Sequence, residues 1–311
     1  MPELKVLHFT DLHEDTSVFP ALEAIAKKEK VNAIFHTGDF IGPHDSNIRG
    51  TFLGEMMSRY QSVSVKLPSH LEEFSRLIKK YQSDPENFSE EDGKELEKLG
   101  MENQQLGKEI IGEPMEQGYA KIRPGLEALA KVAPVYGVLG NWDLTPAYDL
   151  LGDIVKFADR EEFEIEGKSG KKFKVKGANN THENVYKNLP LGKALEPFFI
   201  NYNAGIPVEK CPEVERPKLE KVNQAELERL SQTGPADILL AHKAHDNVHG
   251  SGNAVKEFAP QCGSVFEGHK HQGWIRMKNG KIIMNPGRDY AFAVSYDANK
   301  EIEEIDVYRV H

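Results

Sequence analysis

Cysteine is scarce in this chain of 311 residues: only Cys211 and Cys262 are present. They can close one bridge at most, so a disulfide-built scaffold is excluded and a reducing, cytoplasmic setting is the simpler expectation. Long apolar runs are lacking as well. The longest, such as 236–241 with Asp237 inside it, are strand-sized, far short of the ~18–20 residues that span a bilayer. The opening Met1-Pro2-Glu3-Leu4-Lys5 has no basic segment followed by an apolar core, so no secretory leader and no membrane partner are expected. Nor is there an excess of positive charge: 39 Lys+Arg stand against 49 Asp+Glu, a formal net of -10. A chain living on nucleic-acid phosphates would carry the opposite balance. A hydrophobic content of 39% and a charged content of 28% then fit an ordinary soluble globular protein. Length alone suggests about two domains.

The chain opens with an apolar run, Leu4–Phe9, then a polar turn. An amphipathic stretch with Phe19, Leu22, Ile25 and Ala26 at helical spacing leads to a second apolar run at Ala33, Ile34, Phe35 and His36. Strand, helix and strand within some forty residues predict a βαβ unit. A later unit has a helix over 126–132, introduced by Pro124, running into a strand at 135–139. The last third reads as short strands at Ile238–Leu240, Ser264–Phe266, 282–284, 291–296 and 302–307. A β-rich end on a βαβ start points to a mixed sheet or to two packed sheets in an α/β fold.

Residues 46–118 differ in character. Ser69 with Glu72 looks like a capping box, and Ser89 with Asp92 opens a second helix candidate. Leu71, Phe74, Leu77, Ile78 and Tyr81 would line the face of one helix, and Leu96, Leu99, Leu106 and Ile110 that of the next. Residues 69–109 hold 11 acidic and 6 basic side chains, a local net of -5. A helical insertion with a solvated acidic face is expected; a lid or a surface for homo-oligomerisation is the alternative.

The chemistry-bearing residues stand just after the strands: Asp11 and His13 after the first, Gly38-Asp39 after the second, Gly140-Asn141-Trp142-Asp143 after the third, then His242, then Gly268-His269-Lys270-His271. Five of the twelve histidines fall between 242 and 271, more than a solvated surface explains. An i, i+2 spacing in extended chain puts both side chains on one side, and open α/β sheets gather their ligands beyond the carboxyl ends of strands. Carboxylate, imidazole and amide oxygen suit divalent Mn, Fe, Co, Ni or Zn, and the absence of cysteine argues against a structural zinc site. His8 and His36, set beside apolar strands, are expected to be satisfied core histidines.

Taken in order, Asp-X-His, Gly-Asp, Gly-Asn-X-Asp, His and Gly-His-X-His resemble the calcineurin-like metallophosphoesterases over residues 11–271. The resemblance implies a two-sheet β-sandwich flanked by helices, one catalytic domain over 1–311 enlarged by the insertion at about 46–118. It also implies two divalent transition-metal ions, one held by Asp11, His13, Asp39 and His271, the other by Asp39, Asn141, His242 and His269, with Asp39 shared. The implied reaction is direct hydrolysis of a phosphate ester by a hydroxide bridging the two ions. Where the family motif often has a histidine after Gly-Asn, this chain has Trp142, whose indole N–H cannot act as a general acid. That leans the expectation toward phosphodiesters of small molecules or nucleotides. Asn141, Asp143, His245 and Arg288 are the candidate substrate-side residues, with His249 a further donor. The loops Gly42-Pro43-His44-Asp45 and 179–187 would shape specificity. A catalytically silent scaffold on the same fold is the competing reading. A nuclease is disfavoured by the lack of a Lys/Arg-dense strip.

Overall fold

A computed structural model describes residues 2–42, 50–63, 67–178, 216–242, 252–278 and 280–311. Cys211, His245, His249, residues 43–45 and residues 179–187 lie outside the described residues.

In β1 (Leu4–Phe9), Leu4 and Val6 face one apolar core, while Leu7 and Phe9 face another. A strand carrying apolar residues on both sides must be covered on both, which makes β1 a central strand. It pairs in parallel with β2 (Ala33–Thr37) through the crossover helix α1 (Phe19–Glu29), Val6 lying opposite Ala33. After β2 come α2 (Phe52–Val63), α3 (Leu67–Ser83) and α4 (Glu90–Gly107). A π turn at Lys108–Gly112 joins α4 to α5 (Glu113–Ala130), so helical structure runs on from 90 to 130. Then follow β3 (Val135–Val138), α6 (Ala147–Leu151), β4 (Val155–Phe157), β5 (Phe163–Glu166) and β6 (Lys172–Gly177). The remainder comprises α7 (Arg216–Ser231), β7 (Ile238–Leu240), α8 (Gly252–Phe258), β8 (Ser264–Phe266), β9 (Trp274–Lys278), β10 (Lys281–Asn285), β11 (Tyr290–Tyr296) and β12 (Ile302–Arg309).

The strands form two mixed six-stranded sheets, in the orders β12-β11-β1-β2-β3-β4 and β5-β6-β7-β8-β10-β9. The sheets pack face to face over Leu4, Val6, Phe35, Val175, Leu240, Phe266 and Val294. Helices α1, α2, α5 and α6 cover the outside of the first sheet through Leu22, Met56, Ile122 and Leu151. Phe258 of α8 and Leu230 of α7 cover the outside of the second. The result is the expected two-sheet sandwich flanked by helices. No helix among the described residues is long and apolar enough to cross a membrane.

Three local expectations need correction. Pro124 does not begin a helix; it sits inside α5. A buried stripe of Met115, Tyr119, Ile122, Leu126 and Leu129 runs past it on both sides, and packing of that face outweighs the one lost N–H. The expected boundary at 118 falls inside α5, which is the crossover helix between β2 and β3; α2–α4 precede it. Ser69 is not at the start of its helix: α3 begins at Leu67 with Pro68 in its first turn, where proline is favoured. Ser89 with Asp92 does open a helix, α4, and the pair forms a capping box. Asp92 N–H donates to Ser89 Oγ at 3.1 Å, and Ser89 N–H donates to Asp92 Oδ2 at 2.8 Å.

Candidate metal centre

Strands β1, β2, β3, β7 and β8 run in one direction, and the loops leaving their carboxyl ends meet above the sandwich. Residues 11–14 run alongside 38–40: Asp11 N–H donates to Gly38 O, His13 N–H to Asp39 O and Glu14 N–H to Phe40 O, all at 3.0–3.1 Å. Such close stacking leaves no room for a side chain at certain positions. A Cβ on Gly38, whose φ is +92°, would stand 2.7 Å from His242 Nδ1, and one on Gly140 would stand 2.2 Å from Asp39 Oδ1. This accounts physically for the glycine preceding the acid or amide. Asp11, His13, Asp39 and His269 all adopt left-handed backbone, with φ between +46° and +69°. That conformation is costly away from glycine and collects at functional sites.

Two groups of side chains converge. Asp11, His13 and His271 bring one ligand atom each to a common point, and Asp39, His242 and His269 do the same beside them. Asn141 joins the second group: its Oδ1 lies 2.8 Å from His242 Nε2 and 2.6 Å from His269 Nδ1. Asp39 stands between the groups, with Oδ2 3.7 Å from His13 Nε2 and 3.3 Å from His242 Nε2. In the first group the Nε2 atoms of His13 and His271 are 3.1 Å apart. Asp11, His13, Asp39 and His242 are buried, whereas the His271 side chain is 39% exposed. The centre therefore opens to solvent on the side of His271.

The donor atoms fit a pair of cations. Asp11 Oδ2 is buried without a hydrogen-bond partner, an expensive state for a carboxylate oxygen. The Nδ1 nitrogen of His242 lies 2.7 Å from Thr37 O and donates to it. That leaves Nε2 to face two acceptor oxygens, Asn141 Oδ1 and Asp39 Oδ2. Lone pairs so arranged need either a proton on the ring or a shared cation. Burial alone would lower the His242 pKa, but the adjacent Asp39 carboxylate raises it to about 9. Burial would likewise raise Asp39, and His242 outweighs it, holding Asp39 well below the usual carboxylate range. Burial raises Asp11 and lowers His13, the latter to about 4.

Asp143 does not face this cluster. Its carboxylate accepts backbone N–H groups from Phe40 at 3.0 Å, Ile41 at 3.2 Å and Gly140 at 2.8 Å, and the Tyr119 hydroxyl at 3.3 Å. It locks the Asp39 loop to the Asn141 loop and so acts as a positioning residue. Trp142 is half-buried; its backbone N–H donates to Asp39 Oδ1 at 2.9 Å, and its side chain packs over Gly42 beside His13. Arg288 is half-buried on the segment after β10, and its positive charge contributes to lowering His13. His8 is a core histidine that is only half satisfied: its Nε2 pairs with Thr37 Oγ1 at 2.9 Å, but its Nδ1 has no hydrogen-bond partner. His36 is in the core but not satisfied: neither ring nitrogen has a hydrogen-bond partner, and the ring lies between Phe9 and Phe40.

Two further residues shape the centre. Glu14, only 3% exposed, accepts N–H groups from Phe52 at 2.7 Å and Gly42 at 3.4 Å, tying the first loop to the start of α2. Asn285 donates to Gly268 O at 2.6 Å and accepts Gly287 N–H at 2.7 Å, pinning the His269–His271 loop. The sequence signals were faint: Glu14 directly follows Asp-X-His, and Asn285 opens Asn-Pro-Gly-Arg.

Residues 111–273, just over half of the chain, match the family model described as calcineurin-like phosphoesterase. Asn141, His242, His269 and His271 lie inside the match, and Asp11, His13 and Asp39 precede it. Among solved structures, TT1561 of Thermus thermophilus aligns over 99% of each chain at 10% identity with a TM-score of 0.50. The phosphopantetheinyl hydrolase of Mycobacterium tuberculosis aligns over 92% of this chain and 90% of its own at 12% identity and 0.43. A structure titled a novel archaeal phosphodiesterase aligns over 98% and 99% at 10% identity and 0.36. No curated protein matches the chain. A two-sheet sandwich with its ligand-bearing loops above the strand ends, and a family match over just over half of the chain, lead to one assignment: the chain belongs to the calcineurin-like phosphoesterases, a family of phosphoester hydrolases that bind two divalent metal ions.

Proposed function

We propose that this chain hydrolyses phosphodiesters of small molecules or nucleotides at a centre holding two divalent transition-metal ions. The observation that carries this reading is the convergence of two donor groups on either side of Asp39. Asp11, His13, Asp39 and His271 would hold one ion, and Asp39, Asn141, His242 and His269 the other. Bound there, such ions lower the pKa of water, neutralise phosphoryl oxygens and align the phosphorus for in-line attack.

The protein's own part is orientation and charge. Thr37 O fixes the His242 tautomer, the Trp142 backbone N–H orients the Asp39 carboxylate, and Asp143 holds the two loops at a fixed separation. Asn141 is a neutral ligand, so its site keeps more positive charge for the substrate. Arg288, beside His13, adds a fixed cation for a phosphate oxygen. Trp142 offers an indole N–H and no transferable proton, so no leaving-group acid stands at that position, which favours groups that depart readily.

The test is reconstitution of metal-stripped protein with Mn, Fe, Co, Ni or Zn, followed by hydrolysis assays on paired aryl phosphate mono- and diesters. Turnover of the diester in at least one metal is the expected outcome. Bound metal with no turnover of either ester would replace this reading with the scaffold one.

A further inference from the structure

Among the described residues, several inward-facing apolar side chains are exposed along one edge of the sandwich. β9 ends the second sheet and β12 ends the first. Pairing register assigns each side chain to a face. Ile275 and Met277 lie opposite Met284 and Ile282, and Met284 belongs to the core between the sheets. Val307 lies opposite Phe292, and Ile305 opposite Val294, both again in that core. Ile275, Met277 and Val307 are thus inward-facing residues, yet they are 44%, 75% and 55% exposed. Tyr290, inward-facing by the same alternation, is 37% exposed. These four make up most of the exposed large apolar side chains among the described residues; the other two, Tyr81 and Met101, sit apart on α3 and α4. At the end away from the metal loops, Met277, Ile282 and Ile302 line the apolar part of a cleft of about 510 Å³ whose remaining wall is polar, with Asp237, Lys281, Lys300 and Glu301. A core face that the described residues leave exposed is a marked interaction surface.

Charge selects the partner. On the outward side β9 carries Arg276, stacked over Trp274, and Lys278, whereas β12 carries Glu304 and Asp306 in its outward-facing register. Asp306 lies 3.5 Å from Lys5 Nζ, so Lys278 and Glu304 are the principal pair. Two like edges brought together would oppose like charges; β9 against β12 places cations opposite acids, with apolar side chains meeting on the inner face. Strand direction agrees. β10 runs parallel to β8, toward the metal loops, so β9 runs away from them. β12 is antiparallel to β11, itself antiparallel to β1, so β12 runs toward them. A two-fold axis parallel to the strands therefore sets β9 of one copy antiparallel beside β12 of the other, twice over, and closes the assembly.

We propose that the β9–β12 edge is a homodimer interface in which each sheet of one copy continues into the opposite sheet of a second copy, leaving both metal centres on the same side. The inference is independent of the reaction proposed above. Light scattering and sedimentation of the full chain at micromolar concentration should give twice the 35.0 kDa chain mass. Met277→Lys, on a largely exposed side chain, should give monomer with unchanged circular dichroism. Lys278→Glu and Glu304→Lys should each lose dimer, and the double variant should regain it. Hydrogen exchange should show β9 and β12 amides protected in the dimer and unprotected in the Met277→Lys monomer. A wild-type monomer, or a dimer indifferent to Met277→Lys, as one held through α3 and α4 would be, overturns the proposal. Failure of the double reversal to restore the dimer overturns the pairing of β9 with β12.

Discussion

His36 carries two unpaired ring nitrogens between Phe9 and Phe40, and burial holds its pKa well below 6.5. Burial also pushes His8 down to about 3. Both rings are neutral in the folded chain, while the unfolded chain takes up a proton at each below about pH 6.5. Their contribution to stability is therefore complete above pH 6.5 and is lost as pH falls toward the folded values, at about 1.4 kcal/mol per pH unit for each histidine. Urea unfolding of metal-stripped protein between neutral pH and pH ~5 should show His36→Phe with a shallower acid loss than wild type, by about one proton. Equal slopes would contradict the burial argument. Gly140→Ala tests the packing of the centre: its Cβ would stand 2.2 Å from Asp39 Oδ1, so metal affinity should drop by more than the roughly 10–100-fold that follows loss of a ligand-supporting group. Calorimetric titration would show it, and unchanged affinity would contradict the stacking of the loops. Residue types in order, through the family resemblance they carry, pointed to Asp11, His13, Asp39, Asn141, His242, His269 and His271. The supporting roles of Asp143, Glu14 and Asn285 were hidden, because a side chain that bonds backbone groups 17 to 103 residues away leaves no local pattern.

Element by element, most strands legible in the sequence are those with continuous apolar runs, such as Ile238–Leu240, buried on both faces; the edge strand β12, read from its alternation, is the exception. Those passed over were β4, β5, β6 and β9. Phe-Glu-Ile-Glu in β5 and Trp-Ile-Arg-Met-Lys in β9 form sheet edges, where one polar face dilutes the hydrophobic signal. Lys-Phe-Lys-Val-Lys-Gly in β6 reads as polar although Lys176 is buried, its ammonium donating to the carbonyls of Leu230 and Gly234. The extent of the helix through Pro124 depends on a buried stripe that sequence periodicity did not separate from the insertion. The Ser89–Asp92 box, in contrast, is local and was legible. Ser89→Ala should cost about 1 kcal/mol in thermal unfolding and leave hydrolysis unchanged. A stability change near zero would mean that the α4 terminus is held by packing alone.

At the scale of the molecule, the two sheets meet at the metal centre through loops from β1, β2 and β3 on one side and β7 and β8 on the other. Ions that bind only the folded arrangement must stabilise the whole sandwich. Each site held at a hundredfold excess over its dissociation constant contributes about 2.7 kcal/mol, so manganese should raise the melting temperature of chelated protein, and a melting point indifferent to metal would contradict a shared centre. The net charge of -10 includes -5 from residues 69–109, in the added helices rather than around the centre. The most direct test is the metal content of the full chain after reconstitution and removal of free ions, measured beside Asp39→Ala. Two divalent ions per wild-type chain, and loss of both or all but one on removing the shared carboxylate, is the expected result. One ion or none in the wild type, or two retained by Asp39→Ala, would contradict a dinuclear centre built around Asp39.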